Sequence, residues 1–373
     1  MELFYIFIPF NTMLWPKFIL TILTLTLFSV SYAQEAPKYS NEFMSIGVGA
    51  RALAMSNTQT AHVRDITAGY YNPAGLIGME GDYQFALMHA EYFAGIAKYD
   101  YGAIGMRLDS SSVLSASVIR LAVDDIPDTR FLYDANGSIN YDNIRFFTAA
   151  DYGFLISYAR EVGLLGGLQL GGSAKIIHRK AGDFATAWGF GIDIGAQKHY
   201  KEWQFGLMLR DVTGTFNAWD HNPDLLADVY NQTGNDIPEN SIEVTLPKAI
   251  VGLARYFTFK EHFGLLATLD LQTTFDGQRN TVIKADPVSV EPALGIEFDY
   301  KKIAYIRLGA GNIQEIKSYD NTTYWTIQPN FGVGIHIKQL YIDYALTDIG
   351  DQSASPYSHV FSLRAYLNKN SEE

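Results

Sequence analysis

The feature that most restricts the fold of this chain is a two-residue alternation kept up over runs of nine to thirteen residues. From Trp188 onward, Trp188, Phe190, Ile192, Ile194 and Ala196 fall on one face and Gly189, Gly191, Asp193, Gly195 and Gln197 on the other. Leu294, Ile296, Phe298 and Tyr300 alternate with Gly295, Glu297 and Asp299, and Phe331, Val333, Ile335 and Ile337 with Gly332, Gly334, His336 and Lys338. Period two marks an extended strand with unlike faces. Strands of a water-soluble sandwich average about five or six residues, whereas a strand tilted across a bilayer needs about 9–11. Pattern and length together predict an all-β protein that crosses a membrane as a barrel, apolar toward lipid, with glycine and isolated charges inward.

Fourteen runs are legible, at about 82–92, 95–107, 112–123, 146–160, 167–178, 187–199, 203–212, 247–258, 263–274, 290–300, 303–312, 328–338, 340–347 and 358–367. Fourteen is even, as bacterial outer-membrane barrels require. The links alternate in length from the second strand onward. Short ones such as Tyr200–Glu202 and Lys301–Lys302 face long ones such as Val123–Arg145 and Thr213–Leu246. Short turns belong to the periplasm and long loops to the outside, which puts both termini in the periplasm. Only the first hairpin, near Phe93–Ala94, is short where a long loop is expected. The predicted fold is a 14-stranded antiparallel transmembrane β-barrel in the cell outer membrane, 82–367, ending in a polar tail, 368–373.

Composition supports this. Tyr (24), Phe (23) and Gly (32) are abundant in the 373 residues while mean hydropathy is −0.02. A helical membrane protein would be far more apolar. Aromatics gather near strand ends, at Tyr92, Trp188, Tyr200, Trp203, Tyr300 and Tyr366, as in the girdles of barrels. Cysteine is absent, which removes disulfides, thiolate metal sites, Cys nucleophiles and a lipidated cysteine. A net charge of −12 argues against nucleic acid as a partner. The eight histidines are scattered without a metal-ligand spacing, and no catalytic residue, metal ligand or cofactor site is assigned.

Residues 1–33 read as a signal peptide: Lys17, the apolar run Phe18–Val30, then Ser31-Tyr32-Ala33 with small residues where a peptidase reads. The awkward first twelve residues suggest a true start at Met13. N-terminal sequencing of the mature protein is expected to begin at Gln34; retention of Lys17 would refute the assignment.

Residues 34–81 do not alternate and read as a compact plug inside or below the barrel. Gly47-Val48-Gly49-Ala50-Arg51-Ala52 lacks the strand and long helix of a dinucleotide site. A short helix near Ala50–Ser56 is expected instead, then a turn, then Asn72 extended before Pro73 and a short helix opened by that proline. Inward Asp193, Asp270, Glu297 and Arg307 suit hydrogen bonding to such a plug, and the inward glycines suit an open lumen.

The string GARALAMSNTQTAHVRDITAGYYNPAGL, residues 49–76, resembles the plug of the FadL-like outer-membrane superfamily, with Ser56 where glycine is usual. Its motif positions are Gly49, Arg51, Tyr71, Asn72, Pro73 and Gly75. HAEYFAGIAKYDYGAIGMRL and VIRLAVDDIPDT are similar to one branch, the PorV/PorQ family associated with type IX protein secretion. The resemblance implies fourteen strands and a secretion-system component, with the translocon or cargo signal domains as partners. The candidate binding residues are loop aromatics set among acids: Phe131 and Tyr133, then Phe216, Trp219 and Tyr230. The wider superfamily includes long-chain fatty-acid channels, so the alternative is transport of hydrophobic small molecules, with a ligand in the lumen. A gap in the wall beside an apolar pocket favours that alternative; a sealed wall with an aromatic mouth favours cargo binding.

Overall fold

A computed structural model describes residues 40–163, 166–234, 236, 240–347 and 357–369. The expected signal peptide, residues 34–39 and the end of the tail lie outside the described residues. Fourteen antiparallel strands form the wall: β1 (Tyr83–Tyr92), β2 (Ala97–Asp109), β3 (Ser112–Asp128), β4 (Arg145–Val162), β5 (Leu168–Ala181), β6 (Ala185–Tyr200), β7 (Trp203–Arg210), β8 (Lys248–Phe259), β9 (Phe263–Thr274), β10 (Ser289–Tyr300), β11 (Ala304–Lys317), β12 (Thr323–Ile337), β13 (Leu340–Thr347) and β14 (Ser358–Leu367). Each pairs with its neighbours in chain order, and β1 closes on β14 from Tyr83↔Leu367 to Glu91↔His359. Closure leaves no edge of unpaired backbone groups, the condition for strands to stand in lipid.

Two differences from the sequence reading have one cause. β3, β5, β11 and β12 extend past their expected long-loop ends, with pairing as far as Lys317↔Thr323. The segment Thr213–Leu246, read as a loop, holds two further strands, Thr215–His221 and Ser241–Thr245, on either side of helix Pro223–Thr233. They continue β7 and β8 upward, Thr215–His221 pairing with β6 and Ser241–Thr245 with it. The upper ends of these stretches pass the apolar band, where hydrogen bonding sustains a ladder without apolar alternation; Phe216, paired with Phe190, still lies within it.

The band's upper limit is visible in the ladder. One outward row crosses the wall as Leu87, Gly102, Val118, Phe154, Ile176 and Phe190. Two residues higher the row is His89, Asp100, Arg120, Tyr152, His178 and Trp188. His89 Nδ1 lies 2.7 Å from Asp100, and the His178 and Trp188 ring centroids are 4.2 Å apart, tilted by 31°. At the short-turn end, Lys201 and Lys301 lie over Tyr200 and Tyr300, an arrangement that keeps ammonium groups in the head-group region.

Residues 40–81 run through the lumen as helix α1 (Ala50–Ala54), helix α2 (Ala68–Tyr71) and 3₁₀ turns at Glu42–Ser45 and Pro73–Gly78. Asn217 Nδ2 donates to Ser40 Oγ (2.6 Å) near the long loops, while Asp82 N donates to Leu367 O (2.9 Å) at the opposite end. Much of the space left by inward glycines is taken up by this segment, and the remaining room lies above it. A Cβ at Gly195 would lie 2.0 Å from Asn72 Oδ1, at Gly206 2.1 Å from the Thr60 carbonyl and at Gly309 2.5 Å from the Met55 carbonyl carbon. Gly171, Gly252 and Gly332 meet Ala74, Ala61 and Ala54 as closely. Any side chain would push the segment away, at about 1–3 kcal/mol for overpacking. Gly206→Val is therefore expected to lower the urea midpoint of the reconstituted barrel, whereas Gly163→Ala, with nothing within 4 Å, leaves it unchanged; equal midpoints would refute the fit.

Candidate functional site

The luminal segment is fixed to the wall by a chain of alternating charges. From α1, Arg51 donates to both oxygens of Glu297 on β10, at 2.8 and 2.9 Å. Glu297 also accepts from Arg307 Nε on β11 (2.6 Å), whose Nη1 donates to Asp343 on β13 (2.7 Å). On its other side Arg51 is 3.9 Å from Asp65, itself paired with Arg364 of β14. Arg307 is 1 % exposed and Glu297 6 %, so each charge depends on its neighbours for the solvation that burial removed. Burial opposes ionisation of Asp65, but the Arg364 and Arg51 guanidiniums and the bonds from Thr67 outweigh it and hold the carboxyl below its usual range.

The motif residues account for the rest of the segment's shape. Asn72 is fully buried and extended (φ −159°), and its Oδ1 accepts from Ala74 N to open the Pro73 turn. Its Nδ2 donates to the carbonyls of Thr60 (2.8 Å), Ala196 on β6 (3.1 Å) and Leu207 on β7 (3.3 Å). Tyr71 Oη accepts from Val48 N (2.9 Å) and bonds Asn57 Oδ1 (2.7 Å). A Cβ at Gly75 would lie 2.2 Å from the Val63 carbonyl, and Gly49 precedes α1 at φ 84°. Helix α1 ends at Ala54, two residues earlier than expected, because Ser56 is left-handed at φ 52°. Glycine suits that backbone best. Here the Ser56 hydroxyl gains a bond from Asn330 (2.8 Å) instead. Among the inward charges, Asp270 accepts from Thr60 N (3.0 Å) and Glu297 holds Arg51, while Arg307 reaches the segment only through Glu297.

Above the segment lies a cavity of about 700 Å³. Leu53, Thr60, Tyr70 and Tyr71 contribute to its lining from the segment, and Tyr92, Phe93, Ile96, Leu121 and Val123 form an apolar flank on β1–β3 and the first hairpin. Asn312, Gln328 and Asn330 border it from β11 and β12. The β7–β10 side is charged, with Arg210, Lys248, Asp270, Glu291 and, from the β9–β10 loop, Arg279. Phe93 and Ala94 are both left-handed (φ 54° and 58°), an uncommon turn for such residues. It brings the short first hairpin into the lining, with Phe93 58 % exposed.

Beside the charged flank the wall is interrupted. Between Leu209↔Ile194 and Phe216↔Phe190 the β7 chain has six residues to three on β6, and between Arg210↔Lys248 and Thr215↔Thr245 it has four to two. Asp211–Gly214 thus bulges against Leu246–Pro247, where proline has no N–H to donate. Two bonds, Val212 N to Ile192 O (2.9 Å) and Asp211 N to Asp193 Oδ1 (2.8 Å), tie the bulge to β6. The buried Lys175 ammonium holds it, 2.8 Å from Asp193 and paired with Asp211. Phe216, directly above, belongs to the apolar row through Phe190, so the interruption lies at lipid height. Arg210 and Lys248 border both the cavity and a small pocket of about 40 Å³ lined by Lys175, Asp193 and Asp211. Lys175 and Asp211 were not singled out from sequence, although an inward lysine in a strand of small inward residues was a readable signal.

The loop aromatics do not form one surface. Phe131 lies under the Arg145 guanidinium (4.5 Å), and Tyr133, 64 % exposed, bridges to Ile139. Phe216 faces outward from a strand; Trp219, on its other face, lies under Arg179 (5.0 Å). Tyr230 is on the helix Pro223–Thr233.

No protein-family model matches the chain, and no curated protein matches it. Solved structures do. The chain is similar to the CymD monoaromatic hydrocarbon channel at 12 % identity and TM-score 0.53, over 87 % of this chain and 98 % of that one. It is also similar to the P. putida toluene transporter TodX at 13 % identity and TM-score 0.51, over 87 % and 99 %. At such identities the likeness shows the fold alone: a closed fourteen-stranded antiparallel barrel. The PorV/PorQ branch is not shown by these comparisons.

Arg51→Ala is expected to destabilise the reconstituted protein by about 3–5 kcal/mol in urea, because Glu297 stays buried with one partner fewer. Asp65, with its folded pKa depressed, contributes stability that is complete above its unfolded value near 3.9 and is lost as pH falls through the folded value. Protease cleavage within 40–81 is therefore expected below pH about 4 and absent at pH 6, with the acid sensitivity reduced in Asp65→Asn.

Proposed function

We propose that this protein conducts hydrophobic small molecules across the outer membrane. The observation that carries the reading is the cavity above the luminal segment, with an apolar flank and a neighbouring interruption of the wall at lipid height. The segment occupies the lumen below, so solute entering at the long-loop end has a route sideways past Val212, Leu246 and Pro247 into the outer leaflet. The long loops are extracellular in this account. The fold shared with channels described as carrying monoaromatic hydrocarbons and toluene supports it. The type IX secretion role has no such support: no comparison favours translocon or cargo partners, and the loop aromatics do not converge. No catalytic, metal or cofactor role enters the proposal.

Deleting the gene is expected to slow uptake of a radiolabelled hydrophobic solute at least severalfold, with restoration by the wild-type gene. Unchanged uptake, with exported C-terminal-signal cargo lost from the cell surface, would overturn the proposal in favour of secretion.

A further inference from the structure

The lining of the cavity is graded, and the grading narrows what it holds. Passing round the wall, β1–β3 offer Tyr92, Ala97, Leu121 and Val123; β13 and β14 offer Thr347 and Ser358; β11 and β12 offer amides; β7–β10 offer charges. The lining charges are three cations, Arg210, Lys248 and Arg279, and three anions, Glu42, Asp270 and Glu291. Some are already engaged: Arg279 pairs with Asp276 at 3.0 Å and Asp270 accepts from Thr60 N. Others retain capacity toward the cavity. Glu42 is exposed although it lies within the barrel. Arg210 stacks on Tyr70 (4.5 Å) and donates to its carbonyl (2.9 Å), yet its buried Nε has no hydrogen-bond partner among the described residues.

A hydrocarbon seated here would strip water from these charges and return nothing. An amphiphile with a single anionic head would meet three carboxylates as well as three cations. Resting on the conduit reading, we propose that the ligand is a single-chain amphiphile with a zwitterionic head group. Its tail lies against the Tyr92–Val123 flank. Its anionic group faces Arg210 and Lys248, and its cationic group faces Glu42 and Glu291. Cavities of roughly 300–1,000 Å³ take ligands of drug size, and about 700 Å³ suits one chain rather than two.

The test is equilibrium binding to the full-length mature protein in nanodiscs, using radiolabelled lysophosphatidylethanolamine, palmitate and toluene, with empty nanodiscs as the blank. The zwitterion is expected to bind at least tenfold more tightly than either other probe. Glu42→Gln/Glu291→Gln is expected to erase that margin by weakening the zwitterion and strengthening palmitate. Palmitate or toluene binding as tightly as the zwitterion to the wild type would overturn the ligand class and leave the conduit standing. No probe above the blank would overturn both. The wild-type ranking decides the class even if the double variant does not fold.

Discussion

The structure depends on a close fit between two backbones. Inward glycines on β5 to β8, β11 and β12 let residues 54–74 lie against the wall at distances no Cβ would allow. Contact at that range commits buried carbonyls and amides, and Asn72, Thr60 and Asp270 supply partners for several of them. The charge chain from Asp343 to Arg364 fixes the other side of the segment, across β10 to β14. Packing and polar satisfaction thus act together around the segment. The segment has one seat, and its upper surface becomes the floor of the cavity.

That seating shapes the function. With the lower lumen occupied, a molecule entering the cavity meets a floor of Leu53, Tyr70 and Tyr71 rather than an axial channel. The wall beside it departs from regular pairing at Asp211–Gly214, where Lys175 neutralises two carboxylates that would otherwise repel. The interruption is therefore a built feature, held by a buried ion pair and placed within the apolar band. On the proposed function, a barrel whose lower lumen is occupied and whose wall departs from regular pairing suits molecules that dissolve in lipid.

Much of this was legible in the sequence. Alternation fixed strand number and inward faces because a strand between lipid and lumen has two unlike sides along its whole length. It failed past Asp211–Gly214, where the bulge interrupts the run before Thr215–His221 and Ser241–Thr245 hydrogen-bond as strands. The role of Asn72 as a turn-former was readable from Asn before Pro; its bonds to Ala196 and Leu207, more than a hundred residues away, were not. Glu297 was visible as an inward charge, but its partner Arg51 lies in a segment without periodicity, and no local rule joins them. The inward glycines were read as room for a lumen, since composition does not say how much of that room the plug takes up. The resemblance to the PorV/PorQ family pointed to secretion, whereas the proposed small-molecule transport is carried by the cavity.

Photolabelling with a diazirine-bearing hydrophobic probe, supplied from outside to cells making the protein and mapped by mass spectrometry, tests the central claim most directly. The account predicts labels on the Tyr92–Val123 flank and on Val212, Leu246 and Pro247 at the wall interruption. Labels confined to the extracellular loops, or found on the lower luminal segment and absent from the interruption, would contradict it.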